Sequence, residues 1–315
     1  MGKATRAAFG DALREISETH DRVVVVDADL SCSTQTRAFA EAYPDRFFQV
    51  GIAEGNMVGV AAGLALGGMV PFAASFACFL AGRFEQIRMS VGYTGANVKL
   101  VGTHSGVGIG EDGYSQMGLE DVALMRSLPN MVVVQPADAI EAAKATEFLA
   151  DYVGPAYFRL TRQSVPDIFD DTYRFEFGQG VELRSGGDLA IVATGGVVAY
   201  ALEAAERLAK DGIDASVVNM HTIKPIDGVL LRKLAADTGR IMTVEDHGVV
   251  GGLGSAVLET LAEVPGVTVR LHGVRSYGES GTHDDLYARH RLDTDGIVSE
   301  AKSFVWPEER AKATG

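Results

Sequence analysis

The sequence is poor in cysteine: its 315 residues include only two, Cys32 and Cys78. Two cysteines cannot form the disulfide framework of a secreted domain, and their spacing does not match that of zinc ligands. Both lie among apolar or small residues, which predicts two buried free thiols. Free thiols suit a reducing compartment, so we expect a cytoplasmic protein with no metal site of its own.

Long apolar runs are also missing. The stretch between Met57 and Leu80 is rich in apolar residues, but glycines, a serine and Pro71 interrupt it, so it does not predict a membrane span. The first 17 residues lack the apolar core of a signal peptide. We therefore expect no membrane partner.

Positive charge is scarce as well. The chain has 28 Lys and Arg residues against 42 Asp and Glu residues, which gives a net charge of −14. The basic residues are scattered along the sequence, and this argues against a nucleic-acid surface. A pocket for a small anion needs only a few arginine or histidine side chains, so a phosphorylated substrate is compatible with this composition.

Short apolar runs rich in valine and isoleucine recur between amphipathic segments. Unbroken apolar strands that alternate with helices are typical of parallel sheets covered on both faces. The sequence therefore predicts an α/β fold with mainly parallel sheets. The predicted strands span 23–26, 98–101, 131–134, 189–193, 215–218, 240–244 and 267–271, and the clearest helices span 139–150, 199–210 and 255–263.

The alternation stops between about residues 163 and 188, where Pro166, acidic residues and several glycines cluster. This composition predicts a linker that includes a short hairpin. We therefore expect two consecutive α/β domains, at 1–165 and 185–315, joined by a linker at 166–184.

The most conspicuous local motif is G-I-G-E-D-G, from Gly108 to Gly113, which has the glycine pattern of dinucleotide-binding loops. Such loops hold a pyrophosphate at a helix N-terminus, and here Glu111 and Asp112 would repel it. The glycines more readily indicate a loop whose backbone approaches a ligand closely. The glycine turn that begins at Gly251 predicts a plain connection between a strand and a helix.

No single residue identifies a chemistry. The sequence has neither the serine nucleophile elbow nor a metal-binding histidine spacing. Glu54 starts a predicted helix, where an acidic residue usually only complements the helix dipole. Phe76 and Phe79 would by default belong to the core. Taken one by one, these features indicate an α/β protein and nothing more specific.

Several segments together carry more information than any one of them. They are GIAEGNM from Gly51, SFACF from Ser75, GTHSGVGIGEDGYSQMGLED from Gly102, HTIKPID from His221 and MTVEDHGVVGGLG from Met242. In this order they resemble the pyrimidine-binding and C-terminal domains of transketolase, over nearly the whole chain. The resemblance implies a thiamine diphosphate-dependent enzyme built from two consecutive α/β domains.

The resemblance also implies which residues contact the cofactor. Glu54 corresponds to the glutamate that hydrogen-bonds N1′ of the thiamine aminopyrimidine, a contact that helps the cofactor to lose its C2 proton. Phe79 corresponds to the aromatic residue that stacks on the pyrimidine, with Phe76 beside it. Further cofactor contacts are implied for Asp29 and Gln116.

The sugar-binding residues implied by the resemblance contact chiefly the substrate's phosphate, because a planar guanidinium suits phosphate oxygens. They are Arg6, Ser33, His104 and Arg162. Asp112 corresponds to the carboxylate that binds a substrate hydroxyl. One departure lies at Gln116, where many transketolases carry His; vertebrate-type transketolases are similar to this chain in having Ser-Gln-Met. This departure leaves the choice of acceptor sugar open.

A second departure is an absence. Transketolases bind the diphosphate and Mg²⁺ through a G-D-G motif and a later asparagine in an N-terminal domain, and no G-D-G occurs in these 315 residues. The chain is thus similar to the C-terminal section of a split transketolase. The resemblance implies a partner subunit that carries the diphosphate and Mg²⁺ site, in a heterotetramer with two copies of each chain. We expect the second domain to serve packing and self-association.

The implied reaction moves a two-carbon ketol unit between ketose and aldose phosphates. The runner-up is the β subunit of a 2-oxo acid dehydrogenase, which has the same two-domain layout but needs no sugar-phosphate cluster. A deoxyxylulose phosphate synthase is less compatible, since it is normally one continuous chain and has His where Gln116 stands. A catalytically silent scaffold would be expected to lose Glu54 or the phosphate-binding residues, and all of these are present.

Overall fold

The computed structural model describes residues 2–306, whose strands form two sheets. The strands are β1 Val23–Asp27, β2 Phe47–Gln49, β3 Val70–Phe76, β4 Lys99–Thr103, β5 Val132–Val134, β6 Ala156–Arg159, β7 Val181–Arg184, β8 Leu189–Thr194, β9 Ala215–Asn219, β10 Thr222–Lys224, β11 Arg240–Gly248 and β12 Thr268–Val274.

Helices connect most of these strands and cover the sheets. They are α1 Thr5–Ile16, α2 Ser31–Thr34, α3 Arg37–Ala42, α4 Glu54–Leu66, α5 Ala77–Ala81, α6 Phe84–Gln86, α7 Asp121–Ser127, α8 Ala139–Asp151, α9 Val197–Lys210, α10 Gly228–Thr238, α11 Leu253–Leu261, α12 His283–His290 and α13 Thr294–Val305. Among residues 2–306, none of these helices is long and apolar enough to cross a membrane.

The first sheet has the strand order β10-β5-β6-β4-β3-β1-β2 and the second has the order β12-β11-β8-β9-β7. Neighbouring strands are parallel, except that β10 runs antiparallel to β5 and β7 runs antiparallel to β9. The prediction of two α/β domains with mainly parallel sheets is confirmed. One strand, β10, comes from the later part of the chain and completes the edge of the first sheet.

The valine-rich runs form strands because each face of the sheet has its own core to fill. Val23 and Val25 pack on one face in the cluster that contains Phe9, while Val26 packs on the other face against Met57 of α4. Alternate residues of a strand point to opposite faces, so an unbroken apolar run is needed where both faces are covered. All seven predicted strands are present, with ends shifted by at most a few residues.

The linker differs from its prediction. It contains no hairpin among the described residues; its later part forms β7, which pairs with β9 of the second sheet. Its earlier part is held against the start of α8, where the Asp138 carboxylate accepts hydrogen bonds from the backbone N–H groups of Ile168 and Phe169, both at 2.8 Å. Long-range pairing with an existing sheet edge thus replaces a local hairpin, which alone would be marginally stable.

The cysteine prediction was wrong in part. Cys32 is exposed and Cys78 is half-buried, and both are free thiols. Cys32 lies in the short helix α2, which follows β1 on the surface, so its small neighbours mark a loop region and not a core strand.

A buried ion pair ties the two sheets together. Arg159, the last residue of β6, donates from Nε to the Asp121 carboxylate at 2.7 Å, and Tyr157 donates its hydroxyl to the same carboxylate. Its Nη2 donates to the backbone carbonyl of Gly118 at 2.8 Å and to that of Asp246, in β11, at 3.1 Å. Burial alone would lower the pKa of Arg159, but the Asp121 carboxylate outweighs it and raises this pKa above its usual value.

We predict that Arg159→Met lowers the free energy of unfolding by about 3–5 kcal/mol, because it leaves the Asp121 carboxylate buried without its cation. Urea denaturation of the full chain measures this loss. Arg37→Met is the matched control, since Arg37 forms an exposed pair with Glu41 and its loss should leave stability unchanged. A result for Arg159→Met no larger than the control would show that the buried pair contributes little.

Candidate active site

The site lies where the strands of the first sheet end. Phe76 is the last residue of β3, His104 directly follows β4, and Asp29 follows β1 by two positions. In parallel α/β sheets the carboxyl ends of the strands meet at one edge, and this edge is where such folds bind ligands. The sheet order places β1, β3 and β4 side by side, so side chains that are far apart in sequence come together there.

Glu54 is the first residue of α4 and only 6% exposed. The N-terminus of this 13-residue helix favours a negative charge. Its neighbours on the helix, Met57 and Val58, are fully buried core residues. The structure therefore holds a buried carboxyl group at the start of a 13-residue helix.

Three rings form a continuous stack beside the strand ends. Phe76 and Phe79 are nearly parallel, with centroids 5.3 Å apart and planes 8° apart. The ring of His104 lies 3.7 Å from that of Phe76, with 24° between the planes. Phe76 is buried and Phe79 is half-buried. The stack arises because β3 ends at Phe76 and α5 follows at once, so that the two phenylalanines, three residues apart, lie on the same side.

His104 is held in one orientation. Its Nε2 lies 3.0 Å from Nη1 of Arg6, and its Nδ1 lies 2.9 Å from the hydroxyl of Thr103. The Thr103 hydroxyl in turn donates to the backbone carbonyl of Ser75. Because arginine can only donate, Nε2 must accept, which assigns the proton to Nδ1. Burial, followed by the positive charges of Arg6 and Arg162, lowers the pKa of His104 to about 3, so the ring is neutral.

Two arginines surround this histidine. Arg6, from α1, donates to the backbone carbonyl of Ser33 at 2.6 Å, and Arg162 donates to that of Ile109 at 2.5 Å. Burial and the nearby Arg162 lower the pKa of Arg6. In a chain with 14 excess negative charges, this corner holds two guanidinium groups and one exposed carboxylate, that of Glu111, which lies 3.4 Å from Nη1 of Arg162. Two guanidinium groups that repel each other are an arrangement that an anion would stabilise.

The remaining predicted residues lie on the loops that flank the stack. Asp29 is exposed, with a left-handed φ of +65°, and its backbone N–H donates to the Gln49 side chain at 2.7 Å. Asp112 is exposed on the glycine-rich loop, residues 104–116, and Gln116 is half-buried in the short turn Tyr114–Gln116 at its end. The glycine-rich loop precedes no long helix at this point, which agrees with the rejection of a dinucleotide-binding motif.

Sequence reasoning missed the residues that support this site. Asp27, buried at the end of β1, accepts hydrogen bonds from the hydroxyls of Thr34 and Thr36 at 2.8 and 3.0 Å. It also accepts one from the backbone of Leu30 and so shapes the turn that carries Ser33. The sequence offers one sign of this role, because an aspartate directly follows four valines. A carboxylate buried at the end of such a strand needs hydrogen-bond donors.

The second domain also reaches the site. Asp246, in β11, accepts hydrogen bonds from the backbone N–H groups of Val107 and Gly108, at 2.8 and 3.2 Å. These two residues belong to the loop that follows His104. The expectation that the second domain serves packing and self-association did not include this contact. Among residues 2–306, no group of three His, Cys, Asp or Glu side chains is placed to hold a metal ion.

Family models match both halves of the chain. A model described as transketolase, pyrimidine binding domain, covers residues 1–167, and one described as transketolase, C-terminal domain, covers residues 178–297. A solved structure titled as a split gene transketolase, inactive beta4 tetramer, is 46% identical with a TM-score of 0.90, and the match covers 96% of this chain and 99% of that chain.

Known proteins of similar length are also related. A Methanocaldococcus jannaschii protein provisionally named as a transketolase C-terminal section is 44% identical over 302 residues, 94% of each chain. The 6-deoxy-6-sulfo-D-fructose transketolase subunit of a Clostridium species is 42% identical over 94% of this chain and 92% of its own length. One subunit of the apulose-4-phosphate transketolase of Phocaeicola vulgatus is 39% identical over 96% of this chain and 97% of its own length.

Longer relatives show which part of the enzyme this chain matches. Mouse transketolase is 41% identical over 306 residues, which are 96% of this chain but 49% of the mouse protein. The resemblance noted in the sequence is thus confirmed. The chain belongs to the transketolase family, with the pyrimidine-binding domain followed by the C-terminal domain.

Proposed function

We propose that this chain is one subunit of a thiamine diphosphate-dependent split transketolase, which moves a two-carbon ketol unit between ketose and aldose phosphates. The observation that carries the proposal is a buried carboxyl group, Glu54, in the same domain as a stacked aromatic pair and a two-arginine corner. A cofactor heterocycle and an anionic sugar need these three kinds of group.

The side chains present fit the aminopyrimidine part of the cofactor. A planar, protonatable ring is well served by one buried carboxyl group and by aromatic faces. In our proposal Glu54 holds a proton at N1′, while Phe79 stacks on the ring and Phe76 supports Phe79. Gln116 and Asp29 add polar contacts from the flanking loops. When bound, the cofactor supplies the carbanion chemistry of the reaction.

The two-arginine corner is proposed to bind the anionic end of the sugar. Arg6 and Arg162 would bind its oxygens, with Ser33 and the neutral His104 as hydrogen-bonding partners, and Asp112 would accept a bond from a sugar hydroxyl. The names of two relatives support a terminal anion, since one acts on a sulfo-sugar and the other on a sugar phosphate. Because the named sugars differ, the ketose used by this chain stays open.

A second polypeptide is proposed to complete the site. This sequence contains no G-D-G motif, so we place the diphosphate and Mg²⁺ ligands on a partner subunit that carries it. Relatives of similar length are named as a section or a subunit of a transketolase, and the related solved structure is titled an inactive tetramer of β chains. We propose a heterotetramer with two copies of each chain.

The first experiment is affinity purification of this chain from its own host, followed by an assay of ketol transfer from xylulose 5-phosphate with thiamine diphosphate and Mg²⁺. We expect a co-purifying chain that contains G-D-G and a later asparagine, and activity only in the mixture. Co-purification of a lipoyl enzyme would instead support a 2-oxo acid dehydrogenase. Full activity of the isolated chain would disprove the proposed division of the site.

In the assembled complex, Glu54→Gln should lower kcat by roughly 10²–10⁴-fold, because the amide cannot hold the proton at N1′. Steady-state kinetics with saturating cofactor measures the loss. Glu147→Gln, on the exposed face of α8, is the control and should leave kcat unchanged. Wild-type turnover in the Glu54 variant would remove the mechanistic role proposed for this residue.

Arg6→Lys and Arg162→Lys should each lower kcat/KM for a phosphorylated ketose by about tenfold or more, because an ammonium group cannot replace a planar pair of donors. For the same ketose without its phosphate, we expect little change. The ratio of the two kcat/KM values is therefore the quantity to measure, with Arg37→Lys as an exposed control. An equal loss on both sugars would argue against phosphate binding by these arginines.

A further inference from the structure

We infer that Asp246, a residue of the second domain, is a positioning residue for the sugar-binding side of the active site. The segment that it holds, residues 104–116, is here called the glycine-rich loop, and it carries His104, Asp112 and Gln116. The loop's conformation rests on the structure alone, whereas its link to sugar binding rests on the proposed function.

The contact crosses from one domain to the other. One carboxylate oxygen of Asp246 accepts the N–H of Val107 at 2.8 Å, and the other accepts the N–H of Gly108 at 3.2 Å. The second oxygen also accepts the hydroxyl of Tyr287, from α12, at 2.9 Å. Asp246 is only 5% exposed. A buried carboxylate satisfied by backbone N–H groups is a strong, charge-assisted contact with little competition from water.

The loop is shaped to receive this carboxylate. Gly106 has a φ of +78°, and a Cβ atom at that position would lie 2.1 Å from Oδ2 of Asp246. Only glycine combines the left-handed backbone with such a close approach. The turn Val107–Ile109 that follows therefore presents its first N–H groups directly to the carboxylate.

Site residues contact or adjoin both ends of the turn Val107–Ile109. His104 lies two residues before Gly106, and its ring stacks on Phe76. At the other end of the turn, the carbonyl of Ile109 accepts the hydrogen bond from Arg162. Movement of residues 106–109 would therefore shift the histidine, the arginine and the acidic part of the loop together.

The second domain supports the far part of the loop as well. The rings of Tyr114 and Tyr277 meet edge to face, with centroids 4.7 Å apart. A Cβ atom on Gly113 would lie 2.5 Å from the hydroxyl of Ser280, which shows how closely the two segments pack. Of the second-domain residues that contact the loop here, Asp246 is the charged one and the most deeply buried, so its contact is the one to test.

A neighbouring residue offers a matched control. Glu245 precedes Asp246 in β11 and is also buried. Its carboxylate likewise accepts two backbone N–H groups, those of Leu253 and Gly254 at 2.7 and 2.8 Å. These groups belong to α11 of the same domain. Glu245→Gln and Asp246→Asn thus make the same chemical change in the same strand, but only the second touches the loop.

The first measurement is hydrogen–deuterium exchange on the isolated full chain. In Asp246→Asn, an NH₂ group replaces one of the two carboxylate oxygens, and it cannot accept the hydrogen bond from the loop N–H at that position. Backbone amides of residues 104–117 should therefore exchange on the order of tenfold faster. Glu245→Gln should leave this peptide unchanged and affect 250–256 instead. If both variants leave residues 104–117 as protected as in the wild type, the inference is overturned, whatever the enzyme's activity proves to be.

The second measurement is kinetic and uses the complex with its partner subunit. Asp246→Asn should lower kcat/KM for the sugar phosphate by about 10²-fold, mainly through KM, because an ångström-scale displacement of binding groups has this effect. Glu245→Gln, with a similar loss of thermal stability, should retain the wild-type KM. Equal KM values in the two variants would show that Asp246 contributes to stability alone and does not position the sugar-binding residues.

Gly106→Ala disturbs the same contact from the first domain. It provides a second test of the inference if Asp246→Asn fails to fold. It should reproduce the faster exchange of residues 104–117, since the added methyl group displaces the loop from the carboxylate. Normal protection of this peptide in the alanine variant would contradict the inference. A complex with no transketolase activity in any variant would disprove the proposed function and leave the exchange result to decide the role of Asp246.

Discussion

The buried ion pair between Arg159 and Asp121 is the contact on which most of the arrangement depends. Arg159 ends β6, and its guanidinium donates hydrogen bonds to the Asp121 side chain at the start of α7, to the carbonyl of Gly118 in the preceding loop and to the carbonyl of Asp246 in β11 of the second domain. Two charges with such low exposure are stable only when each has its partner. Arg162 follows Arg159 by three residues, so the ion pair also anchors the segment that carries Arg162.

The candidate site combines opposite electrostatic requirements within one domain. Glu54 is a buried carboxyl group, whereas Arg6 and Arg162 bring two guanidinium groups near His104 in a strongly acidic chain. Burial keeps His104 neutral, with its pKa lowered to about 3, and its Nε2 accepts a hydrogen bond from Arg6. Net charge therefore says little about such a site, because the local field within a few ångströms determines what binds.

Much of the fold could be predicted because parallel α/β sheets have a strong local signature. The valine-rich runs of β1 and β8 are buried along their whole length, as an unbroken apolar pattern requires. The start of α4 at Glu54 and the strand-to-helix turn at Gly251 were likewise predicted. Pairings between distant segments could not be predicted in this way, such as that of β10 with the first sheet and that of β7 with the second.

The sequence by itself determined the α/β class and, through its ordered motifs, the family and the residues proposed for the site. These properties are local, since side-chain periodicity and short motifs are complete within a few residues of one another. Only the tertiary structure decided that Asp27 shapes the turn of Ser33, that Cys32 is exposed, and that Asp246 holds a loop 138 residues away. The Asp246 contact depends on how the two domains pack together, and the Asp27 contacts depend on the conformation of the turn that follows β1. Side-chain periodicity does not determine either of them.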